Sequence, residues 1–237
     1  MAITTTKSAY WKGFFDGAPF VAVAAPFAAL FGVLGTEAGL NLFEVMMFSV
    51  AVIAGAAQFT ALQLMQENAP TLIVLISALA VNLRVAMYSA ALTPYLGDAP
   101  IWKRAIASYL LVDQSYALSH ATFDDAPDMT TPQRYAYYFG TCTLVMIAWF
   151  SCSFAGAALG TALPANIPLD FALPITFLSM AAPMMRTVPH LIAAATAIVV
   201  SLAAVSVPYS LGLIIAGAAG MAAGAQAELW FEKRGMT

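Results

Sequence analysis

Charge is scarce in this sequence. Only 9% of its 237 residues are Asp, Glu, Lys or Arg and 62% are hydrophobic, whereas a soluble domain carries about 25% charged residues. That deficit excludes an ordinary water-exposed surface and points to an integral membrane protein embedded in a lipid bilayer. The net charge of -3 provides no basic face, so nucleic acid is not expected as a partner. With two histidines, two cysteines and no glycine-rich phosphate loop, the chain offers no zinc-type cluster, and no metal or cofactor is expected. Cys142 and Cys152 lie ten residues apart, about 15 Å along one helix, too far for a disulfide. They read as packing residues.

What is present is apolar and long. Runs at 14–34, 43–65, 71–93, 105–122, 135–160, 170–185, 188–206 and 208–230 far exceed the roughly 10-residue alternating strands of a membrane barrel. The expected fold is an all-α polytopic helical bundle of about six to eight transmembrane or broken helices in one domain, 1–237. The first run continues past Asp16, Pro19 and Ala22-Val23-Ala24 to Leu34, so a retained helix is expected rather than a cleaved signal peptide.

A polar, proline-punctuated stretch at 124–132 divides the runs into two sets of four. Residues 70–83, PTLIVLISALAVNL, align without gaps with 189–202, PHLIAAATAIVVSL, at six identities. Glu44 opens the second run as Asp170 opens the sixth, with residues 54–57 standing opposite 180–183. This suggests repeat halves at 11–122 and 133–230.

Basic residues collect in short cytoplasmic loops. Lys7 and Lys12 place the N-terminus inside, and Lys103, Arg104, Arg186, Lys233 and Arg234 follow if the second and sixth runs are re-entrant or broken. That count gives six crossings, an inverted repeat, both termini cytoplasmic and the 124–132 loop outside with Glu37 and Glu67. Arg134 is left as the one external basic residue. Seven or eight full crossings remain as alternatives. Inverted-repeat transporters carry their substrate near the midplane, at broken helices.

Arg84 falls near the middle of the third run. An arginine at that depth costs roughly 2.5 to 3.5 kcal/mol on insertion scales, so it is expected to face protein or water and to mark a site. Tyr88 shares its helix face at i+4, and Asn82 lies two residues before it. The guanidinium suits a carboxylate by a two-point fork; alternatively Arg84 locks two helices by pairing with Asp113. Asp113, Tyr116 and His120 share a face at i, i+3 and i+7, and Asp113 is read as that partner or as a proton carrier. Gly55, Ala57 and Gln58 form a small-residue patch ending in a polar group, fitting close packing or a substrate contact. Asp16 caps a helix or lines a pathway. His120 and His190 read as interfacial, and Trp11, Trp102 and Trp230 fit an aromatic belt.

VIAGAAQFTAL (52–62), VNLRVAMYSAALTPYL (81–96), LLVDQSYAL (110–118) and LDFALPITFLSM (169–180) resemble the AzlC-type branched-chain amino acid permeases, the azaleucine resistance proteins. The resemblance implies secondary export of hydrophobic amino acids such as valine, leucine and isoleucine across the cytoplasmic membrane. It also implies a small AzlD-type membrane subunit as partner. Two positions depart from many relatives: Val85 stands where they have histidine and Gln114 where they have an acidic residue, which weakens any transfer of proton coupling. An intramembrane enzyme would need a nucleophile with a base or metal set, and a channel would need repeated polar rings. Neither pattern is present, so the chain is not expected to be an enzyme.

Overall fold

A computed structural model describes residues 3–160, 178, 185, 187–207 and 211–234. Among them every regular element is an α-helix: α1 Thr6–Glu37, α2 Leu42–Ala51, α3 Gly55–Gln66, α4 Thr71–Leu96, α5 Ile101–Tyr109, α6 Asp113–Asp125, α7 Thr131–Gly160, α8 Val188–Ala203 and α9 Leu211–Lys233. Three of these, α1, α4 and α7, are long and apolar enough to cross a membrane, and the chain is an all-α membrane protein. The sixth run, with Asp170, residues 180–183, Arg186 and the 169–180 motif, lies outside the described residues apart from Leu178 and Met185.

The chain forms two compact units, one of Met1–Leu62 with Val81–Ile167 and one of Gln63–Ala80 with Pro168–Thr237. In the second, α8 and α9 form an antiparallel pair. A Cβ on Gly212 would meet Ala204, one on Gly220 would meet Ala193 and Ala197, and one on Gly224 would meet Ala193 and Pro189.

The first unit is organised on α1 and α7. Lipid supplies no hydrophobic drive between helices, so close backbone approach through small residues does that work. A Cβ on Gly140 would come within 2.2 Å of the Tyr10 carbonyl oxygen, on Gly13 within 2.2 Å of Tyr137 O, on Gly32 within 2.2 Å of Ser153 O and on Gly156 within 2.0 Å of Ala29 O. Residue numbers rise together along this seam, so α1 and α7 run parallel. We call the end at which both begin proximal and the other distal.

Two re-entrant hairpins pack against this pair. The first enters from the distal end, where Asn41 caps α2 through its Glu44 capping box (3.0 and 2.8 Å) and Val45 packs on Gly35. Phe48 stacks edge-on against Phe31, and Ile53 reaches Ala24 at mid-depth. The chain is not helical over 52–54 and then turns back: Gly55 sits against Phe27, and Phe59 against both Phe27 and Phe31. The second hairpin enters from the proximal end. Its α5 passes Tyr138, whose hydroxyl donates to Ala107 O at 2.6 Å, and stops at Tyr109. After the break at 110–112, α6 returns until Phe123 packs on Tyr137 and Thr122 donates to the Tyr137 hydroxyl at 2.9 Å.

Two expectations are corrected here. The fourth run, 105–122, is not one crossing but two short helices. No proline or glycine marks that break; the freed carbonyls are instead satisfied from α7, by Tyr138 on Ala107 O and by the buried Cys142, whose thiol donates to Leu110 O at 3.6 Å, as non-helical backbone at membrane depth requires. The 124–132 loop also lies at the same end as the start of α1, with Lys12 and Ile3 lining one cavity with Asp125, Pro127 and Gln133. The helices that open 11–122 and 133–230, α1 and α7, run parallel. The inversion found lies earlier in the chain. α1 runs proximal to distal and is followed by a distal hairpin, whereas α4 runs toward the proximal end over 81–96 and is followed by a proximal hairpin.

Candidate functional site

The two hairpin tips meet at the middle of α1 and α7. Ile53 from the first and Leu110 and Val112 from the second pack into one cluster with Phe20, Ala24, Val145, Met146 and Phe150. Tyr109, at the last turn of α5, donates its hydroxyl to Val50 O at 2.6 Å. That carbonyl belongs to the last turn of α2, where helical partners run out, so each tip completes the other. Ser115 closes the second break locally, accepting from Val112 N at 3.1 Å and donating to Val112 O at 2.9 Å.

The break places Asp113 at the first helical position of α6, where the positive end of the helix dipole favours a carboxylate. From α4, Arg84 Nη1 reaches Asp113 Oδ2 at 3.0 Å, with side-chain exposures of 35% and 33% that leave the pair within reach of a solute. Below it Tyr88 and Tyr116 stack at 4.2 Å with planes 10° apart. The alignment follows from parallel helices: Arg84 faces Asp113, Tyr88 faces Tyr116, and Tyr95 faces Phe123 and Asp124. Arg84 Nε and Asp113 Oδ1 are buried with no hydrogen-bond partner. The ion pair therefore leaves Arg84 Nε and Asp113 Oδ1 unfilled, with the Tyr88 hydroxyl beside the carboxylate.

The other sequence candidates lie elsewhere. Gln58 is fully buried on α3 and donates through Nε2 to Ser49 of α2 at 3.4 Å, its Oε1 unpaired. Gly55 fits between Phe27 and Trp149, where a Cβ would come within 2.7 and 2.8 Å, and Ala57 is 2% exposed. These three build the distal hairpin. Asn82, two residues from Arg84, points from a different side of α4, its Oδ1 buried and unpaired. Asp16 lies nearer the proximal end, accepting from Lys12 Nζ and from the Tyr137 hydroxyl at 2.7 Å. His120 Nδ1 pairs with Asp124 Oδ2 at 3.0 Å, and His190 stands exposed on α8.

Sequence reasoning missed Tyr109, Ser115 and Tyr138. Their signal was faint, a hydroxyl within one turn of a break that composition does not reveal. In comparisons with known proteins, the curated proteins and the solved structures give no match. The family model described as AzlC protein matches residues 19–163, which span both hairpins, the Arg84–Asp113 pair and the distal part of the α1–α7 seam. Because that match takes in more than half of the chain, the protein belongs to the AzlC family.

Proposed function

We propose that this chain is the large subunit of a two-component exporter of hydrophobic, branched-chain amino acids in the cytoplasmic membrane, working with a small AzlD-type subunit. Membership of a transporter family supports transport as the class of activity. The observation that carries the reading further is the Arg84–Asp113 pair at the mouth of two breaks that enter from opposite ends. Broken helices at mid-depth are where secondary transporters hold polar substrates, and a partly exposed guanidinium matches a carboxylate.

Orientation follows from charge. Lys7, Lys12, Lys103, Arg104 and Arg134 all belong to the proximal end, whereas Glu37 and Glu44 stand at the distal end. Placing the proximal end in the cytoplasm satisfies the positive-inside rule without the exception that Arg134 made for the sequence alone. The N-terminus and the 124–132 loop are then both cytoplasmic.

Valine efflux from dipeptide-loaded cells tests the function. Cells carrying this chain with a neighbouring small membrane protein should export valine faster than cells carrying either alone. Full efflux from the chain alone would remove the partner from the proposal, and no valine efflux from the pair would remove the function.

A further inference from the structure

We propose that the Arg84–Asp113 pair is a mould for the charged end of a free amino acid, Arg84 taking the carboxylate and Asp113 the ammonium. This rests on amino acid transport as the function proposed above and adds the means by which the site selects a zwitterion. Its basis is the unpaired valence of the pair: Arg84 Nε–H is a buried donor without an acceptor and Asp113 Oδ1 a buried acceptor without a donor. A structural lock would be expected to use both, because a buried ion pair gains most when its remaining hydrogen bonds are filled.

Charge arithmetic sets the selectivity. The empty pair sums to zero, and so does the pair with a zwitterion inserted. A carboxylate lacking the ammonium would leave the site at minus one, with Asp113 uncompensated; an amine lacking the carboxylate would leave it at plus one. Unpaired charge in a poorly solvated site is expensive, so both analogues are rejected. The stacked Tyr88 and Tyr116 rings beside the pair supply an apolar wall for the substrate side chain. Asp113 is thus a specificity residue that touches substrate, rather than a brace for Arg84.

The experiment uses inverted membrane vesicles carrying this chain with its small subunit and measures uptake of labelled valine. The competitors are two valine analogues, 3-methyl-2-oxobutanoate without the ammonium and isobutylamine without the carboxylate. In the native protein each analogue should compete at least about tenfold more weakly than unlabelled valine. Asp113→Asn keeps the side chain's shape but removes its charge, so valine should bind at least about tenfold more weakly while the oxo acid, now neutralised by Arg84 alone, becomes a competitor. A bracing aspartate would not yield that exchange of preference. Equal competition by valine and the oxo acid in the native protein would overturn the proposal, and this arm needs no variant to fold. Unchanged preference in a membrane-inserted Asp113→Asn would overturn it as well. Absence of valine uptake by the native pair would instead remove the proposed function, and the mould with it.

Discussion

The two hairpins use the same backbone device and spend it differently. In the distal one the polar group that follows the break, Gln58, is fully buried and turned onto Ser49 within its own hairpin. In the proximal one the polar group at the break, Asp113, is a third exposed and turned outward onto Arg84 of another helix. The first arrangement closes a tip against the α1–α7 floor; the second leaves one reachable. What distinguishes the two breaks is whether the polar residue's partner lies inside the same hairpin.

The largest effect is expected from removing the floor that both hairpins share. Gly156→Leu would drive a side chain into the Ala29 carbonyl, which stands 2.0 Å from the nearest Cβ position. Backbone there cannot yield as a flexible side chain could. We expect loss of folded protein in detergent-solubilised, size-resolved samples, whereas Gly217→Ala in the second unit, where nothing lies within 4 Å, should be tolerated.

An all-or-none labelling difference should separate the ends from which the hairpins enter. In a background with Cys142→Ser and Cys152→Ser, cysteine at Glu37 should react with an impermeant maleimide in intact cells, and cysteine at Asp125 only after lysis. Serine at 142 retains a donor for Leu110 O. Equal labelling of both sites in intact cells would contradict hairpins that enter from opposite faces.

A smaller effect is expected at the closed tip. Gln58→Met removes the bond to Ser49 along with an unpaired buried oxygen, so stability should change by no more than about 1 to 3 kcal/mol. The valine concentration for half-maximal transport should stay within about twofold of native, a size that one lost substrate hydrogen bond would exceed. A larger shift in that concentration would make the distal tip part of the substrate site. Least of all, Tyr109→Phe deletes one hydrogen bond between the hairpins, worth about 1 kcal/mol, and should lower the midpoint of thermal unfolding by a few degrees at most.

The all-helical membrane fold was legible because apolar runs of crossing length leave few alternatives, and the second run was readable as re-entrant from charge placement alone. The fourth was not. Its break at 110–112 is Leu-Leu-Val, apolar residues that read as helix, and it exists because Tyr138 and Cys142 on a distant helix take up the carbonyls it frees. Once that run is a hairpin rather than a crossing, the 124–132 loop and Arg134 move to the end at which α1 begins, which is why the sequence alone placed them outside. Arg84 and Asp113 stood out in the sequence because charge is conspicuous in an apolar run. That Gln58 and Gly55 lie buried at the distal break could not be seen, since a buried glutamine and an exposed one differ only in the neighbours the fold supplies.

The account centres on Arg84, and valine uptake into inverted vesicles by Arg84→Lys tests it most directly, with membrane insertion measured in the same preparation. Lysine keeps the positive charge but not the planar fork, so it can hold Asp113 but not also present a second aligned donor to a carboxylate. We predict insertion at the native level and valine uptake at least about tenfold slower, the cost of about 1.4 kcal/mol or more in substrate interaction. Native-rate uptake by Arg84→Lys would show that charge alone suffices at this position, and would contradict a site built on two-point recognition.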